Sequence, residues 1–238
     1  MVETPEILAI IPARGGSKSI PMKNLASLAG QPLIAFSVQV AQQSKLISRT
    51  IVSTDSEEIR EVSRGLGAEV PFLRPSELAQ DDTKDFPVFL HALEWLKTYE
   101  GYLPDFVVHL RPTTPLRRAE KIDEAIQLLV DNPSADSVRA VTFPLQNPFK
   151  MWTEEAHFMK PLVDLNIPEP YNQPRQNLPR VLWQTGYVDV IARSTLELKH
   201  SMTGDYILPF IMEEQNIIDI DQPLSLKIAE FLLKEEVY

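Results

Sequence analysis

Short apolar runs alternate with amphipathic segments along the first 143 residues of this chain. Buried strands are predicted by the apolar or β-branched runs at residues 7–11, 49–54, 105–110 and 137–143. Helices are predicted by apolar residues at helical spacing in residues 31–41, 55–64, 120–130 and a segment that begins at Pro87. Because strands that alternate with helices pair in parallel, the pattern predicts a Rossmann-like open, mostly parallel sheet flanked by helices.

The alternation ends at Pro144. Residues 144–182 contain seven prolines and little periodicity, and the segment is too long for a simple loop in a compact domain. We therefore expect a β-arm that packs on a second subunit, within one domain that spans residues 1–238. Further strands are predicted at residues 68–72, 183–192 and 216–220, and an amphipathic helix at 223–234, whereas residues 206–212 are ambiguous.

Charge and composition narrow the functional classes. The net charge of −10 argues against nucleic acid or an anionic membrane as a partner, because neither would gain from counterion release. The sequence has no run of 18 apolar residues, no signal-like start and no cysteine, which favours a cytoplasmic protein without thiol chemistry. Its four histidines are scattered, without the spacing of a zinc site.

The first strand runs directly into a basic loop, residues 13–24. Its glycines allow backbone N–H groups to approach an anion, and Arg14, Lys18 and Lys23 would neutralise a phosphate. The spacing is not that of a Walker A loop. The alternative is an ordinary strand-to-helix turn with solvated basic residues, but three cations so close together in an acidic chain favour a nucleotide's phosphates.

Two carboxylates near the C-terminus, Asp219 and Asp221, are separated by two positions. On the predicted strand both would point the same way and repel one another unless a cation separated them. Magnesium binds through one or two carboxylates together with substrate phosphates, so it would suit this pair. The alternative is that Asp221 caps the following helix.

Four segments of the chain are predicted to follow strands and to meet at one edge of the sheet. In an open parallel sheet, ligands bind outside the carboxyl ends of the strands. The basic loop, Asp55, the stiff segment 111–117 and the acidic pair are therefore expected to face one cleft. Asp55 is interpreted as half of a capping box with Glu58, and a metal or ribose ligand is the alternative.

The whole chain resembles the CMP-sialic acid synthetases, or acylneuraminate cytidylyltransferases. The resemblance rests on six motifs in the same order. They are IPARGGSK with Pro21 and Lys23-Asn24, IVSTD at 51–55, LRP at 73–75 with ELA at 77–79, RPTTPLR at 111–117, PRQ at 174–176 with LP at 178–179, and IDID at 218–221.

The resemblance implies an enzyme of the nucleotide-diphospho-sugar transferase type that joins CTP to an acidic nonulosonic sugar and releases pyrophosphate. It implies nucleotide binding by Ala13, Arg14, Gly15, Gly16, Ser17, Lys18, Lys23, Asn24 and Arg74. It places the sugar near Arg111, Lys150 and Arg175, and Mg²⁺ on Asp219 and Asp221. The residues expected to carry catalysis are Arg14, Lys23 and Asp221. It also implies that segment 144–182 is a dimerisation arm, and hence a homodimer.

The sequence departs from the family at three places. Ser19 replaces a glycine, Arg111 replaces a glutamine on the sugar side, and residues 183–186 replace an arginine-containing Asn-Gly segment. The acceptor is therefore open among sialic, legionaminic, pseudaminic and deoxy-octulosonic acids. Two other functions are considered: a nucleotidyltransferase that uses another NTP or a sugar 1-phosphate, and a non-catalytic nucleotide-binding protein on the same scaffold.

Overall fold

The structure is a computed structural model that describes residues 4–163, 165–212 and 218–236. Its strands are β1 (Ile7–Pro12), β2 (Ser27–Leu28), β3 (Gln31–Pro32), β4 (Arg49–Ser53), β5 (Phe106–His109), β6 (Ser137–Thr142), β7 (Trp152–Glu155), β8 (Phe158–Pro161), β9 (Trp183–Ala192) and β10 (Ile207–Ile211). Its α-helices are α1 (Leu33–Gln43), α2 (Glu57–Gly65), α3 (Asp85–Glu100), α4 (Ala119–Val130), α5 (Arg193–Glu197) and α6 (Pro223–Lys234).

Six strands form the central sheet, in the order β10-β6-β9-β5-β1-β4. β1 pairs in parallel with β4 and β5, and β10 pairs in parallel with β6. β9 is antiparallel to both of its neighbours, β5 and β6. The prediction of an open, mostly parallel sheet is therefore confirmed, and the long β9 is the strand that departs from it.

Helices cover both faces of the sheet, which explains why β1 is an unbroken apolar run. Ile7, Ala9 and Ile11 face the core that includes α1, α2 and α4. Leu8 and Ile10 face the opposite core, which is built mainly on α3. Alternate side chains of a strand point to opposite faces, so a strand buried on both sides needs apolar residues throughout.

Four predicted helix starts differ from the structure by one or two residues. α1 begins at Leu33 because Gln31 and Pro32 form β3, and α4 begins at Ala119. The cap of α2 is Ser56, whose hydroxyl accepts a hydrogen bond from the Ile59 amide at 3.4 Å, so the predicted Asp55–Glu58 capping box is not formed. α3 begins at Asp85 and takes Pro87 into its first turn, where a missing N–H costs nothing. The predicted strand at 68–72 is reduced to one parallel bridge, between Glu69 and Ile51.

The second half of the chain contains a small exposed hairpin and returns to the sheet. β7 and β8 form a separate antiparallel pair whose residues are all solvent-exposed. β9 and α6 have the predicted bounds, and the ambiguous segment forms β10. The predicted strand at 216–220 is wrong where it can be tested, because residues 218–220 have no regular secondary structure. Asn216 and Ile217 lie outside the described residues.

Candidate active site

A pocket of about 480 Å³ lies at the carboxyl ends of β1 and β5. Its volume is typical of small-molecule sites. The strand ends supply its floor, and the segment that leads into α3 supplies one side. We call it the main pocket, and its lining residues are Pro12, Arg14, Ser17, Lys18, Ser19, Lys23, Asn24, Arg74, Leu78, Gln80, Asp81, Thr83, Asp85, Val88, His109, Arg111, Pro112, Thr113 and Asp221. The structure thus places the basic loop and one of the two C-terminal carboxylates in the same pocket.

The basic loop is held in shape by its own contacts. The amide of Gly15 donates to Asp55 Oδ1 at 2.9 Å, and the amide group of Asn24 donates to the Arg14 carbonyl at 2.9 Å. A Cβ on Gly15 would lie 3.1 Å from the Cβ of Ser56, so this close approach favours glycine. Asp55 therefore anchors the loop, and Ala13, Gly15 and Gly16 lie outside the lining of the main pocket.

Two cations of the loop share one carboxylate. Arg14 Nη1 lies 2.9 Å from Asp81 Oδ1, and Lys18 pairs with the other oxygen of the same side chain. These two side-chain cations hold the pKa of Asp81 below its usual value. All three side chains remain partly exposed to solvent, and Asp81 was not anticipated as a site residue.

Lys23 joins the two ends of the chain. Its ammonium donates to the Ile220 carbonyl at 3.0 Å and to Asp221 Oδ1 at 3.1 Å. The Ile220 amide in turn donates to the Thr113 carbonyl at 2.7 Å, and Ile220 is fully buried. The acidic segment is therefore pinned against two other loops of the site, although it is not a strand.

The two carboxylates form a pair whose members face different surroundings. Both residues are solvent-exposed, but Asp221 lines the main pocket, whereas Asp219 lies outside its lining and accepts a hydrogen bond from the Thr113 hydroxyl. Partial burial and the charge of Asp221 raise the pKa of Asp219, against the effect of Thr113. Oxygen donors of this kind fit a hard divalent ion such as Mg²⁺. In the part of the chain that the structure describes, no group of three candidate ligand side chains surrounds such a site. An ion here would therefore need oxygens from a bound substrate or from water.

Arg74 lines the main pocket but is already engaged. Its Nε donates to the Ser53 hydroxyl at 3.1 Å, and its other nitrogens reach the Ser53 and Leu78 carbonyls. Burial lowers its pKa to about 10, partly offset by nearby carboxylates. Arg74 therefore ties the segment after β4 to the pocket edge, and its expected contact with a nucleobase remains a prediction.

The 111–117 loop contains two arginines with different roles. Arg117 is buried and donates to the Tyr187 carbonyl, the Ser37 hydroxyl and the Arg111 carbonyl, so it clamps the loop from below. Burial lowers the pKa of Arg117 to about 9. Arg111 instead lines the main pocket, where its guanidinium contacts Asp189 at 2.9 Å and Asp85 at 3.4 Å.

The other two residues expected at the sugar lie elsewhere in this chain. Lys150 is exposed on the segment after β6. Arg175 donates to the Pro144 carbonyl at 2.6 Å and lines a separate cavity of about 280 Å³. Within one chain, therefore, the structure brings Arg111 to the main pocket and leaves Lys150 and Arg175 outside it.

Comparison with known proteins gives the fold class and then the family. The fold is similar to that of a CMP:2-keto-3-deoxy-manno-octonic acid synthetase in complex with CTP, with a TM-score of 0.73, 17% identity and coverage of 97% of this chain and 99% of that one. The chain belongs to the cytidylyltransferase family, whose model matches residues 8–161, and it is therefore a nucleotidyltransferase.

Two relatives match over nearly their full length. One is a CMP-N,N'-diacetyllegionaminic acid synthase of Campylobacter jejuni, 34% identical over 96% of this chain and 95% of its own. The other is the post-translational flagellin modification protein B of Campylobacter coli, 32% identical over 97% and 96%. The resemblance inferred from the sequence motifs is confirmed. Within the described ranges, no helix is both long and apolar enough to cross a membrane.

Proposed function

We propose that this protein transfers the cytidylyl group of CTP to an acidic nonulosonic sugar, giving the CMP-sugar and pyrophosphate. The observation that carries the proposal is the main pocket, in which three cations and a carboxylate from opposite ends of the chain meet. Triphosphates need cations, and their counter-ion needs oxygen ligands. One of the two relatives that match over nearly their full length is by its name the synthase of a CMP-linked sugar of this class.

The proposed reaction is an in-line displacement at the α-phosphate. The anomeric hydroxyl of the sugar forms the new O–P bond and loses its proton to solvent, and pyrophosphate leaves with the electron pair of the broken bond. Arg14, Lys18 and Lys23 would stabilise the charge that develops on the phosphate oxygens. Ser17 and Asn24 would contact the nucleotide, and Arg74 would support the nucleobase side of the pocket. No histidine is assigned as a base.

Asp219 and Asp221 would hold a Mg²⁺ that arrives with the nucleotide. When bound, the ion would supply positive charge to the phosphates and help lower the pKa of the attacking hydroxyl. Lys23, which now contacts Asp221, would keep that carboxylate oriented toward the pocket. Cytidylyltransferases of this kind generally use a divalent metal, which supports this role.

We also propose that segment 144–182 is a dimerisation arm on a single domain, and that the protein is a cytoplasmic homodimer. The arm exposes Leu145, Phe158 and Met159 by 73%, 74% and 65%. Exposed apolar side chains that form a contiguous patch mark a protein contact, and we propose that these three contribute to such a patch on the arm. In a homodimer, the arm of one subunit would carry its Lys150 and Arg175 to the acceptor in the main pocket of the other subunit. Size-exclusion chromatography with light scattering should give twice the chain mass, and a monomer would contradict the arm's role.

The function is tested by pyrophosphate release from CTP, ATP, GTP and UTP with a panel of sugar acids and Mg²⁺, followed by mass spectrometry of the product. We expect release with CTP and a nonulosonic acid, and a CMP-sugar mass. Release with another NTP and a sugar 1-phosphate would favour the alternative nucleotidyltransferase, and no release with any pair would favour a binding protein.

The metal assignment is tested with Asp221→Asn. This variant should lose activity by about 100-fold or more while it keeps its thermal stability, because one ion ligand is removed from an exposed position. Asp131→Asn, the same change at the exposed end of α4, is the matched control and should retain activity. Near-normal turnover by Asp221→Asn would refute the assignment.

A further inference from the structure

A polar cluster extends from the main pocket toward β9 and β6, on the side of β5 away from β1. We call it the acceptor wall, and its members are His109, Arg111, Arg139 and Asp189. Asp189 is 2% exposed, and its carboxylate accepts hydrogen bonds from Arg111 Nη1 at 2.9 Å and from Arg139 Nε at 2.8 Å. β5 and β9 are neighbours in the sheet, and His109 pairs directly with Asp189.

His109 is the member of this wall whose hydrogen-bonding capacity is unused. Its side chain is completely buried and lines the main pocket, and it packs against the Phe89 ring at 4.6 Å between centroids. Among the residues that the structure describes, neither of its ring nitrogens has a hydrogen-bond partner. Buried polar atoms without partners are rare in proteins, since each costs free energy unless a ligand or water satisfies it.

The neighbouring carboxylates do not explain this histidine. His109 Nδ1 lies 3.9 Å from Asp85 and 4.0 Å from Asp189, which is too far for a hydrogen bond. Burial, and then the charge of three nearby arginines, lowers the pKa of His109 well below its usual value, so the ring is neutral near pH 7. A neutral imidazole has one donor and one acceptor. That pairing suits a hydroxyl or an acylamino group rather than a carboxylate.

We propose that His109 is a specificity-determining residue that exchanges a hydrogen bond with a neutral polar substituent, hydroxyl or acylamino, of the acidic sugar. Arg111, fixed by Asp189, would stand beside it for the sugar's anionic group. The placement follows from the sheet order, because the basic loop and Arg74 extend from β1 and β4 on the other side of β5. This inference rests on the proposed function, since it assigns the acceptor end of the same pocket.

The test compares wild type with His109→Phe and His109→Gln under steady-state conditions. The acceptor panel is N-acetylneuraminic acid, N,N'-diacetyllegionaminic acid, pseudaminic acid and the deoxy-octulosonic acid. For the preferred acid, His109→Phe should lower kcat/KM about tenfold through KM, because one neutral hydrogen bond is lost. The KM for CTP should stay within about twofold. His109→Gln retains a donor and an acceptor, so it should recover part of the loss. The preference among the four acids should shrink in His109→Phe.

His91→Phe is the matched control, because this histidine of α3 lies outside the lining of the main pocket and should not change acceptor kinetics. Equal kcat/KM and equal preference in wild type and His109→Phe would overturn the inference while leaving the proposed function intact. A rise in the KM for CTP instead of the acceptor would also overturn it. Inactivity of the wild type with every acid would refute both the proposed function and the role of His109. If His109→Phe does not fold, as judged by thermal unfolding, His109→Met, whose side chain likewise offers no donor to the acceptor, takes its place under the same criteria.

Discussion

Replacing Asp189 with alanine should destabilise the protein more than any exposed charge change. The residue is 2% exposed and neutralises two guanidiniums, at 2.9 and 2.8 Å. Removing one partner of a buried ion pair costs about 3–5 kcal/mol, because the remaining charge stays buried. Both arginines keep about a fifth of their side chain in solvent, and they retain contacts to Asp85 and Gln184. We therefore expect the lower end, about 3 kcal/mol.

Urea unfolding measures this loss through the three tryptophans and far-UV circular dichroism. The midpoint should fall with an unchanged slope, and the melting temperature should drop by about 6–12 °C for a chain of this size. Asp189→Asn keeps the shape without the charge and should lose less. Glu230→Ala, which breaks an exposed pair with Lys234, is the control and should change stability by under about 0.5 kcal/mol. A loss under about 1 kcal/mol for Asp189→Ala would refute the reasoning. It would mean that the attraction between Asp189 and the two arginines is no larger than the cost of removing these charges from water.

Two further predictions concern Asp81 and His109. Asp81→Asn should lower the KM for CTP about two- to fivefold at low salt, because Arg14 and Lys18 would no longer have to give up a carboxylate partner to bind phosphate. The difference between variant and wild type should fade near about 0.5 M salt, where these exposed charges are screened. Asp82→Asn, the same change one position away and outside the main pocket, should leave KM unchanged; equal effects would contradict a role for Asp81. Burial lowers the pKa of His109 in the folded protein, so as the pH falls the histidine is protonated in the unfolded chain before it is protonated in the folded one. The folded state therefore keeps its full stability with respect to His109 above about pH 6.5 and loses stability below that pH. The free energy of unfolding between about pH 5 and 6.5 should therefore depend less on pH in His109→Phe, and an identical pH dependence would contradict it.

The sheet was predictable because its strands carry a local signal. An apolar run such as β1 has to be buried on both faces, and the helices between successive runs impose parallel pairing. The exceptions are set by contacts that no local pattern records. Glu69 makes one bridge to Ile51, and the chain then leaves the sheet. Ser56 rather than Asp55 caps α2, because the Asp55 carboxylate accepts a hydrogen bond from the Gly15 amide.

The acidic segment reaches the site for a different reason from the one that its sequence suggested. We expected Asp219 and Asp221 to share a face because of strand alternation, but residues 218–220 do not form a strand. Their position is determined instead by Ile220, whose side chain is buried and whose amide and carbonyl bind Thr113 and Lys23. Ile220, the apolar residue between the two carboxylates, indicated in the sequence that the segment is anchored. The sequence did not indicate which residues Ile220 contacts.

The two ends of the main pocket differ in how far apart their parts lie in the sequence. The basic loop spans only twelve positions, from 13 to 24, so residue types alone were enough to predict an anion site there. The acceptor wall joins Arg111 to a carboxylate 78 positions away and adds Arg139 from a third strand. Nothing in the local sequence of β6 or β9 marks these residues as partners. On the proposed assignment of the acceptor end, changes at Arg139 and Asp189 would alter acceptor choice while the basic loop stays the same. A family could in this way retain one nucleotide and diversify its sugars by substitutions buried in two strands of the sheet.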